Sequence, residues 1–112
     1  MRQASLQELY EEAKLYDIPL VLGARKFLEC SDHSNENAHN SYTYQALLPR
    51  NEITLFYTQE MEEYGWDMLT QMRSSHETVL AFEKPYKFAF IAIREAQDTQ
   101  PCQVHIFVGP KD

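Results

Sequence analysis

Cysteine, histidine, serine and carboxylate side chains are the groups in this chain that could do chemistry, and their spacing limits what that chemistry is. Cys30, His33 and His39 fall in the polar stretch "CSDHSNENAHNS". A thiol and two imidazoles are zinc donors, and His76 or His105 would have to supply a fourth ligand. Two residues separate the first pair and five the second, which matches no finger or ribbon spacing. Solvated loop histidines are the ordinary reading. Glu60, Glu62, Glu63 and Asp67 form an acidic cluster, with Glu60 and Glu63 on one helical face. The glycine-turned ligand loop of an EF-hand is missing, so a solvated acidic face is expected. Glu77 and Glu83 flank one apolar segment and could be drawn as a hydrolase pair, but nothing in the sequence brings them together. Ser74 and Ser75 precede His76 without a GxSxG elbow. No GxGxxG or P-loop occurs. The sequence assigns no catalytic residue, no metal beyond the Cys30/His33/His39 candidates, and no cofactor.

The aromatic residues carry more information. There are seven tyrosines, six phenylalanines and one tryptophan. Tyr42, Tyr44, Tyr57, Tyr64 and Trp66 are expected to gather where a helix meets a sheet, most of them as core. Within that set Tyr42, Tyr44, Tyr57 and Tyr64 are the candidate aromatic binding surface, because rings with polar tips are enriched at interfaces.

The elements that must position these residues follow from periodicity. "SLQELYEEAKLY" opens on a capping box, Ser5 with Glu8, and places Leu6, Leu9, Tyr10, Ala13 and Tyr16 on one helical stripe. Pro19 ends that helix. "IPLVLGARKFLEC" predicts an extended entry and a first strand, with Gly23 at a turn or bulge. "YTYQALL" predicts a strand with Tyr42, Tyr44, Ala46 and Leu48 on one face. Pro49 stops it. "NEITLFYTQEMEEY" predicts a helix capped by Asn51, with Ile53, Phe56, Tyr57, Met61 and Tyr64 as its buried stripe. Gly65 is placed to take the left-handed conformation that closes a Schellman motif, and Trp66 to fold back on Met61. Four strands follow: "WDMLTQM", "HETVLAFE", "KFAFIAIRE" and "CQVHIFVG". The third is apolar on both faces, which predicts a central position.

Short connections between these strands predict a mostly antiparallel sheet of five to six strands. One amphipathic helix should pack on one face, an α+β domain. Residues 1–16 are read as an N-terminal helical segment and 17–112 as the domain. A chain of 112 residues with 44% hydrophobic and 24% charged residues can hold its own core and is not disordered. The net charge of −7 repels phosphate backbones, so a nucleic-acid partner is not expected. The apolar runs fall far short of the ~20 residues that span a bilayer. "MRQASLQELYEEAKL" has no basic start followed by an apolar block, so no secretory leader is expected within it. Cys30 and Cys102 sit at the ends of the first and last strands. In an oxidising compartment they could be bridged if those strands are neighbours.

Ile18, Pro19, Gly23 and Ala24 ("IPxxxGA"), Tyr42 and Tyr44, Phe56, Tyr57 and Met61 leading to Gly65 and Trp66 ("FY…M…GW"), and Phe82, Lys84 and Pro85 ("FxKP") make a pattern over residues 17 to 95. It resembles a group of uncharacterised bacterial envelope proteins, many of them lipoproteins. The resemblance implies an α+β sheet domain near a membrane and names no catalytic residue. The lipobox cysteine of that group is not found near Met1, so membrane proximity would depend on an anchor outside these residues. The expectation is a small non-enzymatic binding or assembly domain of the cell envelope or periplasm, with a protein partner. Two alternatives stand beside it. One is a metal-dependent protein or enzyme built on the Cys30/His33/His39 loop. The other is a cytosolic adaptor that docks a partner through its N-terminal helix.

Overall fold

The computed structural model describes residues 17–21, 25–31, 40–95 and 101–111, with the backbone alone for 25–31 and 40. The segment 1–16 and the loop carrying His33 and His39 lie outside the described residues. The elements are β1 (Arg25–Ser31), β2 (Asn40–Ala46), α1 (Arg50–Glu63), β3 (Asp67–Arg73), β4 (Glu77–Lys84), β5 (Lys87–Arg94) and β6 (Cys102–Pro110). The strands form one sheet in the order β1-β2-β6-β5-β4-β3, and every neighbouring pair is antiparallel. The fold is α+β with an antiparallel sheet, as the short connections require.

Four antiparallel steps separate β2 from β3, so the two run in the same direction. Helix α1 carries the chain from one to the other across the sheet face. Pairing rows show which side chains meet it. Tyr42, Ile106, Ile91 and Leu80 form one row, and Tyr44, Val104, Ile93 and Thr78 the next. All eight are buried. Ile53, Tyr57 and Met61 from α1 and Ile18, Leu20 and Val21 from the entry segment complete this core. Tyr44 and Tyr57 share a hydrogen bond between their hydroxyls, and the Val21 N–H donates to the Tyr44 oxygen at 3.2 Å. Strand, helix and entry segment are thereby tied at one point.

The start of α1 departs from the sequence expectation. Pro49, not Asn51, is the N-cap, with φ −61° and ψ 149° and no side-chain cap. Its carbonyl accepts from the amides of Glu52 (3.0 Å) and Ile53 (3.1 Å). Proline is pre-set to φ near −65° and has no N–H to satisfy, so the cap falls two residues earlier than expected. Asn51 is instead helical, and its side-chain oxygen accepts from Arg73 Nη2 at 3.0 Å.

The end of α1 follows the expectation. Gly65 has φ +89°. The Gly65 amide donates to Glu62 O and the Trp66 amide to Met61 O, each at 3.0 Å, the two bonds of a Schellman motif.

Cys30 and Cys102 are not placed to bridge. Strand β2 lies between β1 and β6. Cys30 pairs with Ser41 and Cys102 with Ala46. The two cysteines are two strand spacings apart across the sheet and five residues apart along it, roughly 10 Å by 16 Å. That exceeds the reach of a disulfide.

Candidate functional site

The corner where α1 ends and β3 begins is fixed from several sides. Trp66 is buried, and its indole N–H donates to Asp17 O at 2.8 Å. The Asp17 carboxylate receives Lys84 Nζ at 3.0 Å and Lys87 Nζ at 2.5 Å. Both ammonium groups lie over the indole, 4.8 and 5.4 Å from the ring centre. Burial by itself would raise the Asp17 pKa. Hydrogen bonds from Lys87 and Lys84, with their charges, outweigh it and hold the carboxyl below its ordinary value. The helix-to-strand turn is clamped to the β4–β5 hairpin and to the entry segment.

From this clamp β3 runs out as an edge strand. All seven of its residues are exposed. Among the described residues only β4 pairs with it, so there its outer side is an open strand edge. Met68, Leu69 and Met72 are 42%, 49% and 60% exposed, a concentration of apolar side chains along one border. A bulge at Leu69 interrupts its pairing with β4. The strand carries neither proline nor lysine, two common blunting devices of edge strands.

A cleft of about 220 Å³ opens beside the strand's first residues. Thr58 and Glu62 of α1 form one wall, and Trp66, Asp67, Met68 and Phe82 the other. Glu62 supplies its carboxylate; Asp67 is paired with Glu83 on the face of the sheet away from α1, and the Trp66 and Phe82 rings are buried beneath the cleft. Edge and cleft together can accept an extended segment, with main-chain hydrogen bonds for affinity and side-chain pockets for selection.

No family model, curated protein or solved structure matches the chain. The site therefore stands on its geometry.

The sequence-proposed residues are distributed as follows. Tyr42, Tyr44 and Tyr57 are in the core, because each lies on the inward face of β2 or α1. Burial removes these three from any aromatic surface. Tyr64 alone of the four is exposed, past the last turn of α1. The Cys30 side chain, His33 and His39 lie outside the described residues. His105 sits on the side of the sheet away from α1, where its Nδ1 and Thr43 Oγ1 are 2.7 Å apart. His76 is in the β3–β4 turn. Glu77 and Glu83 are at opposite ends of β4, and Glu83 accepts from Lys111 at 2.6 Å. Ser74 Oγ bonds Glu77 main-chain atoms, which makes it a turn residue.

The edge residues Met68, Leu69 and Met72 were legible only as part of a strand. A signal was present: "DMLTQMR" does not alternate cleanly, whereas "HETVLAFE" does. A strand whose two faces both remain wet has no reason to alternate.

Proposed function

We propose that the chain is a small protein-binding or assembly domain that takes an extended partner segment along the β3 edge, in the bacterial cell envelope. The observation that carries the docking reading is the seven-residue edge strand, exposed throughout, rich in apolar side chains and flanked by a cleft that carries Glu62. The envelope setting rests on the residue pattern over 17 to 95 and on nothing else.

Site-specific photocrosslinking in the source cell tests it. A photoreactive residue at position 72 should yield a discrete adduct, recovered with the envelope fraction. The same probe at position 52, on the exposed start of α1, should yield none. Leu69→Lys, which blunts the edge, should abolish the adduct while leaving the melting midpoint nearly unchanged. No adduct from position 72, or one indifferent to Leu69→Lys, would remove the edge from the docking role.

A further inference from the structure

We infer that the segment docked at the β3 edge is a charge-patterned peptide strand. It runs antiparallel to β3 and presents on its helix side an acidic, an apolar and a basic side chain at alternate positions, in that order from its N-terminal end. This rests on the reading of β3 as a docking edge and deepens it by naming the partner's chemistry.

The groove that selects lies between α1 and β3 on the helix side of the sheet. Residues paired directly across two strands share a face. Met68, Gln71 and Arg73 pair with the buried Phe82, Leu80 and Thr78, so all three face α1. On the helix, Asn51, Leu55, Thr58 and Glu62 fall at three- and four-residue steps and form one stripe. The Asn51 side chain accepts from Arg73, and Thr58 and Glu62 line the cleft beside Met68, so this stripe borders β3. Leu55, in its middle, is 55% exposed.

The two walls match in length. A short turn joins the end of α1 to the start of β3, so the two run in opposite directions. Along the helix axis Leu55 lies about 6 Å and Glu62 about 16 Å from Asn51. Along the strand Gln71 lies about 7 Å and Met68 about 13–16 Å from Arg73. Three levels result: Arg73 with Asn51, Gln71 with Leu55, and Met68 with Glu62. An added strand places alternate side chains at these levels.

The end levels carry opposite charges. Ion pairs among the described residues involve neither Arg73 nor Glu62. Arg73 donates to Asn51 through Nη2 and keeps further N–H groups for a carboxylate. At the other end a lysine or arginine can lay its stem along Met68 and bring its charge to Glu62. Between them Leu55 favours an apolar side chain. On the opposite face Met72, paired with Val79, favours a second one at the intervening position. All five strand pairs of the sheet are antiparallel, and parallel pairing is the weaker of the two. The added strand therefore starts beside Arg73 and ends beside Met68, which fixes the order of the three side chains.

Fluorescence anisotropy at low salt with two labelled heptapeptides is the test. The matched peptide is Ser-Glu-Val-Leu-Thr-Lys-Ser and the swapped peptide Ser-Lys-Val-Leu-Thr-Glu-Ser, equal in composition. Each is titrated with the parent chain, with Leu69→Lys and with the double variant Glu62→Lys/Arg73→Glu. The parent should prefer the matched peptide by about fivefold or more, and added salt should shrink the preference. The double variant should prefer the swapped peptide, a reversal that also shows it folds. Leu69→Lys should lose both. Equal affinities, a preference of the parent for the swapped peptide, or a preference that the double variant leaves unreversed would overturn the inference. Equal affinities that Leu69→Lys abolishes overturn the charge pattern and leave the edge as a docking site. Binding of neither peptide to the parent also overturns the inference, and the adduct from position 72 then decides whether the docking reading falls with it.

Discussion

Gly65 is where a single φ angle decides how the helix hands over to β3. Among the described residues a side chain there would meet Lys84 Cε at 3.6 Å and Nζ at 3.8 Å, which is ordinary contact. Any cost of Gly65→Ala therefore comes from the backbone at φ +89° rather than from crowding. The expected loss is roughly 1 kcal/mol or somewhat more, read as a lower urea midpoint at unchanged slope. Gly65→Asn should lose less, since asparagine tolerates the left-handed region. Trp66 follows at once and fills the corner. Trp66→Ala should lose roughly 3–5 kcal/mol. Trp66→Phe keeps much of the volume but drops the donor to Asp17 O, leaving a smaller loss, and native indole emission of the parent should be blue-shifted from that of free tryptophan. Asp17 adds a pH term. Its folded carboxyl titrates below the unfolded one, so its contribution is complete above about pH 4 and is lost as pH falls through the lower folded value. The stability gap between the parent and Asp17→Asn should therefore be widest near neutrality and close on acidification. A gap that persists unchanged in strong acid would mean the lysine pairing is not its source.

Elements were legible where periodicity and punctuation agreed. The helix cap fell two residues before the expected Asn51, its end at Gly65 was as expected, and β2 to β6 fell within two residues of their expected bounds. Thr78, Leu80 and Phe82 share the inward face of β4, as alternation requires. Strand β5 is interior, as its apolar content implied. Three things were not legible. Strand order depends on which edge the helix delivers β3 to, and that non-local fact decides the fate of Cys30 and Cys102. Tyrosine placement was ambiguous because a tyrosine serves core and surface equally well. The docking edge carries no motif, only exposure. The Tyr44–Tyr57 hydroxyl pair tests how β2 and α1 are joined. Tyr57→Phe should cost roughly 1–3 kcal/mol, because the buried Tyr44 hydroxyl loses one of its partners. The double variant with Tyr44→Phe should cost less than the sum of the singles, giving a coupling of about 0.5–3 kcal/mol in a double-mutant cycle. Strict additivity would show that the two hydroxyls act independently.

At the scale of the whole molecule the sheet has two unequal sides. Among the described residues the helix side is dry from β2 across β6 and β5 to β4. The other side carries an aromatic row in which Phe88 and Phe90 lie 6.3 Å apart and Phe90 and Phe107 6.2 Å apart, ring centre to ring centre. Phe90 and Phe107 remain 40% and 38% exposed, whereas Phe82 on the dry side is 1% exposed. Strand β5 is thus apolar on both faces for two different reasons: Ala89, Ile91 and Ile93 fill the core, and Phe88 and Phe90 pair laterally with their neighbours on an open face. Stability should reflect the difference. Phe82→Ala removes a fully buried ring under α1 and should cost roughly 3–5 kcal/mol. Phe90→Ala removes cross-strand contact and partial burial, and should cost about 1 kcal/mol in dilute monomer. Chemical denaturation of both variants at micromolar protein supplies the comparison. A cost at Phe90 equal to that at Phe82 would mean that the second face is covered too, and the one-sided core would have to be abandoned.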